Sequence, residues 1–487
     1  MRRSNLMLNG VIITLLSSLL LSNLAMAELS PAEHARLGIE GTELTPMGAI
    51  RAGNKEGTIP EWKSKPISGV PGSEANNVID PFANEKPLFT ITADNYQQYK
   101  ERLTVGQIAM FKAYPETFFM NVYPTHRTGA YDERIYQATL EQSKKVIVCP
   151  EYEKEGRVCL DNDIDGGGIP FPIPKTGAEA VWSHYLAFRE RSSSAMYNGV
   201  IVDYLGNRTD VIQHMRQIYP WWVSIDSELK KNKVLTIKGG SVYCGSQLLK
   251  KPTRSAGLMF GGCLYVNNHG VQAYLYLPGQ RRVRKAPEIG FHDSPSFGSD
   301  GMIISEDRWM MWFGGKYTRH DYAAPVRKEF FVPYNNNKLA DKNLSFDDIF
   351  GKKHINQSLV RYELHRVWVV ESTVKEGQFD LYSRQTAYFD EDTWIALGNE
   401  TYDQKGRLWR VAEQYNVFIH GLNITRGIGD VHIDLITGRY ASYPFWQYQA
   451  GEIEGFGPPR FTTRDGEDIG FNPDIFTPHG LRRYGRR

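Results

Sequence analysis

The chain is expected to adopt an α+β fold: one large, strongly curved antiparallel β-sheet with helices packed on or in it. Three observations lead there. The clear helix signals lie in the N-terminal part of the chain. Beyond about residue 195 the apolar period drops to two, as in strands with one buried face. In that region turn signals recur about a dozen residues apart between β-rich runs, which marks consecutive antiparallel hairpins. No internal repeat of fixed period is present.

The elements follow in order. Residues 1–27 read as a secretory signal peptide: Arg2 and Arg3, a leucine-rich run from Val11 to Leu21, and Ala25-Met26-Ala27 before Glu28. Ser17, Ser18, Ser22 and Asn23 interrupt that run and shorten it below a membrane span. Residues 28 to about 90 are rich in Gly and Pro and should lie over a surface rather than form a core. Thr92 can cap a helical run through Tyr96, Tyr99 and Leu103, and Val105 to Tyr114 continues until Pro115 stops it. Thr176-Gly177-Ala178-Glu179 is a capping box opening a helix that carries Val181, Trp182 and Tyr185. Val271, Ala273, Leu275 and Leu277 alternate with Gln272, Tyr274 and Tyr276 before the turn at Pro278-Gly279. Strands are expected over 359–371, Arg384–Phe389, Trp394–Tyr402 and Leu408–Val417, with turns at Asp390-Glu391-Asp392, Asp403-Gln404-Lys405-Gly406 and Asp434–Gly438. The organisation is therefore a leader (1–27), an irregular and helical segment (28–135), and a curved sheet domain (136–487) with a helical insertion near 176–190. Residues 28–487 form one structural unit.

Charge and cysteine content narrow the function. The net charge is +2, and loss of the leader removes Arg2 and Arg3 and no acid, so nothing global points to nucleic acid. An exported chain works away from cytoplasmic ATP and NADH, in a compartment that permits disulfides. Among the three connectivities of Cys149, Cys159, Cys244 and Cys263, the simplest joins Cys149 to Cys159 and Cys244 to Cys263. No pair has the spacing of a zinc knuckle.

No catalytic motif emerges. Asp161-Asn162-Asp163-Ile164-Asp165-Gly166 opens like a calcium loop, but Pro172 stands where the bidentate glutamate belongs, so a solvated turn is preferred. His292-Asp293 and His320-Asp321 lack ligand spacing, and Gly298-Ser299-Asp300-Gly301 lacks that of a nucleophile elbow. The acids are expected to cap or solvate turns. Arg281, Arg282 and Arg284 should begin the return strand of a hairpin; they are read as a charged edge that discourages aggregation, or as a docking site for an acidic partner or lipid headgroup. The basic C-terminus (Arg482, Arg483, Arg486, Arg487) is expected to be a mobile tail. Trp221, Trp222, Met310, Met311 and Trp312 are read first as core. If the sheet wraps a cavity they become, with Tyr274 and Tyr276, candidates for its lining.

Five phrases occurring in order carry a family resemblance. They are Leu44-Thr45-Pro46 with Gly57-Thr58-Ile59-Pro60-Glu61-Trp62, Gly167 to Pro174, Leu277 to Arg284, Lys328 to Asn335, and Tyr388 to Trp394 with Tyr402-Asp403. The chain resembles a secreted bacterial family of outer-membrane lipoprotein-sorting-like proteins, within the lipoprotein-carrier-like superfamily. The resemblance implies a half-barrel closed by helices, an apolar cavity and a Gram-negative periplasm. It also implies company with an inner-membrane efflux-type transporter and an outer-membrane protein. The resulting expectation is a non-catalytic, cofactor-free periplasmic carrier of a lipid, lipoprotein or other hydrophobic molecule. The alternatives are a structural subunit bridging transporter and outer-membrane protein, and, behind it, a lipid or glycan hydrolase.

Overall fold

The computed structural model describes residues 29–64, 70, 77–145, 147–148, 158–159, 166–223, 225, 241–265, 271–286, 299, 301–304, 307, 319–454 and 473–485. The expected leader, the calcium-like loop at 161–165, Cys149, His292-Asp293, and Met310, Met311 and Trp312 lie outside them.

Two short strands come first, β1 (Phe89–Ile91) and β2 (Met120–Val122), followed by a separate two-stranded hairpin, β3 (Ile147–Val148) with β4 (Val158–Cys159). A first meander follows: β5 (Ser192–Val202), β6 (Arg208–Ile218), β7 (Ser241–Lys251), β8 (Met259–Tyr265), β9 (Val271–Leu277) and β10 (Arg282–Lys285). After β11 (His320–Tyr322) and β12 (Val326–Pro333) comes a second: β13 (Tyr362–Val374), β14 (Arg384–Asp390), β15 (Ala396–Tyr402), β16 (Leu408–Ile419), β17 (Ile424–Asp434) and β18 (Tyr440–Glu454). All except β3 and β4 belong to one curved, unclosed sheet, ordered β1-β2-β13 to β18, then β5 to β10, with β11 and β12 beside β13. The two meanders join where β18 pairs antiparallel with β5, Tyr440 opposite Val202. The only parallel contact in the described sheet is β2 with β13. Register shifts interrupt every ladder from β14–β15 to β18–β5. Each such irregularity bends and twists the strand that carries it, which accounts for the curvature.

Local chemistry explains the hairpins. Asp203 and Asp403 each accept amide hydrogen bonds within their turns, and Gly206 and Gly406 adopt the positive φ those turns require. The expected helices form at Val105–Ala113, capped by Thr104, and at Gly177–Tyr185, where Thr176 and Glu179 make the capping box. The 92–103 run is a 3-10 helix, Tyr96–Arg102. The main core packs Trp182, Phe188, Trp221, Trp222, Phe389 and Trp394 against the sheet.

Three expectations need correction. The C-terminus is not a tail up to residue 485: Thr477 caps a helix, Pro478–Tyr484, whose buried Leu481 joins Ile475 and Phe476 against Met259 and Tyr276. That docking also defeats the alternation expected in β9, where Ala273 and Tyr276 are the buried positions. The turn Asp390-Glu391-Asp392 is not solvated; all three acids are buried.

Candidate functional site

The buried acids sit where β14 turns into β15. The turn is held by Trp394, which has a left-handed backbone (φ 62°) unusual for a bulky residue. Its position is fixed on three sides. The amide of Trp394 donates to the Asp390 carbonyl (2.9 Å), the indole N–H donates to the Met47 carbonyl (2.8 Å), and the ring stacks on Trp368 with centroids 5.7 Å apart.

Arginines from three distant elements meet the acids. Arg127 forks onto Asp392 (Nη2 to Oδ1 2.6 Å, Nε to Oδ2 2.9 Å) and reaches Glu391 at 3.3 Å. Arg366 on β13 and Arg327 on β12 approach Glu391 at 3.3 and 3.6 Å. The same guanidiniums bind carbonyls of the N-terminal segment: Arg127 that of Ile50 (3.0 Å), Arg366 those of Ile50 and Ala52, and Arg327 that of Gly48. The Ile50 amide in turn donates to Glu391 (3.2 Å). Residues 44–62 thus form a strap over the acidic turn, as the irregular composition suggested.

Burial, then the neighbouring Asp392, raises the carboxyls of Asp390 and Glu391 well above the carboxylate range, against the pull of the surrounding cations. Burial opposes the charge of Arg127 too, but Asp392, Glu391 and Asp390 outweigh it and the guanidinium pKa is raised.

Alongside lies a second charged group on β13. Glu363 accepts from Asn335 Nδ2 (3.0 Å), from the His126 amide (2.8 Å) and from Arg361 Nε, and its Oε2 lies 3.1 Å from His365 Nε2. Burial alone would raise the Glu363 carboxyl; His365 and Arg361 outweigh it and hold it below the usual range. His365 stacks on Tyr334 (3.8 Å between centroids), and the Tyr334 hydroxyl donates to Asp390 Oδ2 at 3.0 Å. Arg361 continues outward to Glu85 (2.7 Å), and with Asp80, Phe82, Tyr123 and Asn335 it lines a cleft of about 520 Å³. The centre can hold charge, a proton or a cation. Residues able to hold a metal are His365, Asp390 and Asp392, whose ligand atoms lie within 4.8 Å of one another.

The residues singled out from sequence lie elsewhere. Trp221 and Trp222 are fully buried, with their indole N–H groups on the carbonyls of Gly168 and Leu186, both at 3.0 Å. Tyr276 is buried and Tyr274 half-buried beneath the C-terminal helix. Arg281 is exposed in the turn before β10, and Arg282 and Arg284 are exposed on β10, an edge strand of the sheet, which returns from β9 as expected. Cys244 and Cys263 face each other across β7 and β8 and form a disulfide. His320 is buried and hydrogen-bonded to Asp380 at 2.9 Å. Ser194 and His214 form a buried pair at 3.1 Å, with Arg216 and Lys250 as charged neighbours of the imidazole.

Sequence reasoning missed Arg127, Glu363, His365 and the burial of Asp390–Asp392. Two signals were available: three acids enclosed between the aromatics Phe389 and Trp394, and the polar alternation Arg361, Glu363, His365 leading into an apolar strand.

A family model described as "protein of unknown function (DUF1329)" matches residues 90–482. A relative from Pseudomonas aeruginosa, the uncharacterized protein PA3922, is 35% identical over 424 residues, covering 86% of this chain and 89% of that one. The chain belongs to the DUF1329 family. A solved DUF1329 protein from Desulfovibrio piger is 15% identical, covering 62% of this chain and 95% of that one with a TM-score of 0.38. A lipoprotein-sorting protein domain from Vibrio parahaemolyticus gives 14% identity, coverages of 63% and 97%, and the same score of 0.38. A LolA superfamily protein from Nitrosomonas europaea gives 10%, coverages of 58% and 95%, and a score of 0.30. The model match takes in the acidic turn, Arg127 and His365, and leaves the strap outside.

Proposed function

We propose that this DUF1329 protein is a non-catalytic envelope protein that binds and carries a lipid, lipoprotein or other hydrophobic molecule in the periplasm. The observation that carries the reading is how the first meander is covered. Two apolar clusters there are separate from the main core, and short segments complete them. Ile475, Phe476 and Leu481 lie over Leu248, Met259 and Tyr276. Met302 and Ile303 lie over Ile201, Val211 and Leu249. A short segment on an unclosed apolar sheet is a cover that an acyl chain can replace, at about 25 cal/mol for each Å² removed from water. The leader-like residues 1–27 support export, and no helix among the described residues is long and apolar enough to cross a membrane. The exposed Arg281, Arg282 and Arg284 offer an acidic partner or headgroup a contact at the edge strand. The resemblance behind this reading makes an efflux-type transporter and an outer-membrane protein the partners to seek.

The second reading is a bridging subunit, favoured by the filling of the main sheet face with side chains such as Trp221, Trp222 and Trp394. Native mass spectrometry of the mature protein from its own periplasm, with organic extraction of what co-purifies, separates the two. A stoichiometric lipid or hydrophobic small molecule supports the carrier. A clean apo mass that persists after incubation with membrane extract rejects it in favour of the bridge.

A further inference from the structure

We propose that His365, Asp390 and Asp392 form a binding site for a divalent first-row transition ion of the zinc type. The three ligand atoms lie within 4.8 Å of one another: His365 comes from β13, Asp390 from the end of the paired strand β14, and Asp392 from the turn that follows. The independent observation is the state of Asp390. Its side chain is fully buried, and its Oδ2 accepts from both Tyr334 (3.0 Å) and Thr393 (2.6 Å), while its Oδ1 has no hydrogen-bond partner among the described residues. A buried carboxylate oxygen without a donor calls for a ligand of positive character. His365 is arranged as metal-binding histidines are. Its Nε2 lies 3.1 Å from the Glu363 carboxylate, a partner of the kind that orients metal-binding histidines, and Tyr334 fixes the ring by stacking. Glu363 is itself anchored by Asn335 and the His126 amide, so the ligand is held by a supported outer shell. Asp392 spends one lone pair of each oxygen on Arg127 and keeps a second on each. One imidazole and two carboxylates suit zinc, manganese or cobalt with one position open, and fall short of the six or more oxygens that calcium requires.

The test uses the mature protein, without a histidine tag and never exposed to chelator. Elemental analysis should find about one equivalent of metal. Competition against a chromophoric chelator should show zinc affinity reduced at least 100-fold in Asp390→Asn and His365→Gln, and 10- to 100-fold in Glu363→Gln, which touches no metal. Far-UV circular dichroism checks that the variants fold. Should they fail to, cobalt titration of the wild type reads the site directly, with one equivalent giving the visible bands of a low-symmetry nitrogen–oxygen site. Wild-type protein that holds no metal and takes up neither zinc, manganese nor cobalt overturns the proposal, as does unchanged affinity in folded Asp390→Asn. Because the site lies away from the first meander, lipid loading and metal loading can fail separately.

Discussion

Replacing Arg127 by methionine keeps much of the side chain's apolar stem and removes the fork that meets the acidic turn. The side chains of Arg127, Glu391 and Asp392 are exposed by 2%, 2% and 1%, so solvent cannot take over the lost charge. Glu391 retains Arg366 and Arg327, whereas Asp392 keeps no other hydrogen bond among the described residues. Removing one partner of a buried ion pair costs about 3–5 kcal/mol, because the stranded charge stays desolvated. Arg127→Met should therefore lower the free energy of unfolding in urea, followed by tryptophan fluorescence, by about that amount at pH 7.5. Arg127→Met combined with Asp392→Leu should recover part of the loss, there being no orphaned charge left. Trypsin gives a second readout, because Arg127 also anchors the carbonyls of Ile50, Arg51 and Pro60; the variant should be cut early at Arg51 and Lys55. A variant within about 1 kcal/mol of wild type, its strap still protected, would refute the view that this charge group holds the strap down.

Other outcomes follow from single residues. Gly48→Ala places a Cβ 1.7 Å from the Pro172 carbonyl oxygen at a positive φ of 82°, so it should cost at least about 2 kcal/mol and loosen the strap to proteolysis. Replacing both Cys244 and Cys263 by serine opens a crosslink across a sequence separation of 19 and should lower stability by about 3 kcal/mol in urea melts. Burial, reinforced by Arg216 and Lys250, drives the His214 pKa well below its usual value, so the unfolded chain takes up a proton below pH about 6.5 that the folded chain refuses. Stability carried by this group is thus lost as pH falls from 7 to 5, and wild type should lose up to about 1.4 kcal/mol per pH unit more than His214→Gln; parallel pH–stability curves would contradict this.

The hairpins were legible because they are local: Asp403 to Gly406 and Asp434 to Gly438 carry their own turn chemistry, and the capping box at Thr176 needs only Glu179. The seam between β18 and β5 was not, since nothing near Tyr440 or Val202 encodes the other. The same limit hid the charged centre. An acidic turn is ordinarily solvated, and only the arrival of Arg127, Arg327 and Arg366 from separate elements makes burial of Asp390–Asp392 tolerable. The burial pattern of β9 was hidden for a related reason, because the helix that covers Tyr276 comes from the far end of the chain.

The β18–β5 seam also orders events in time. The first meander is complete by residue 285, yet β5 has no partner on its free side until the chain has been made out to β18. During that interval β5 is an exposed edge, able to pair with any other extended segment. Closing the seam brings together residues very distant in sequence, which slows folding and lengthens the exposure. Early release of the chain, or truncation before Tyr440, should therefore yield aggregates rather than a smaller folded protein, and assistance from a holding chaperone should matter most just before the last strand arrives.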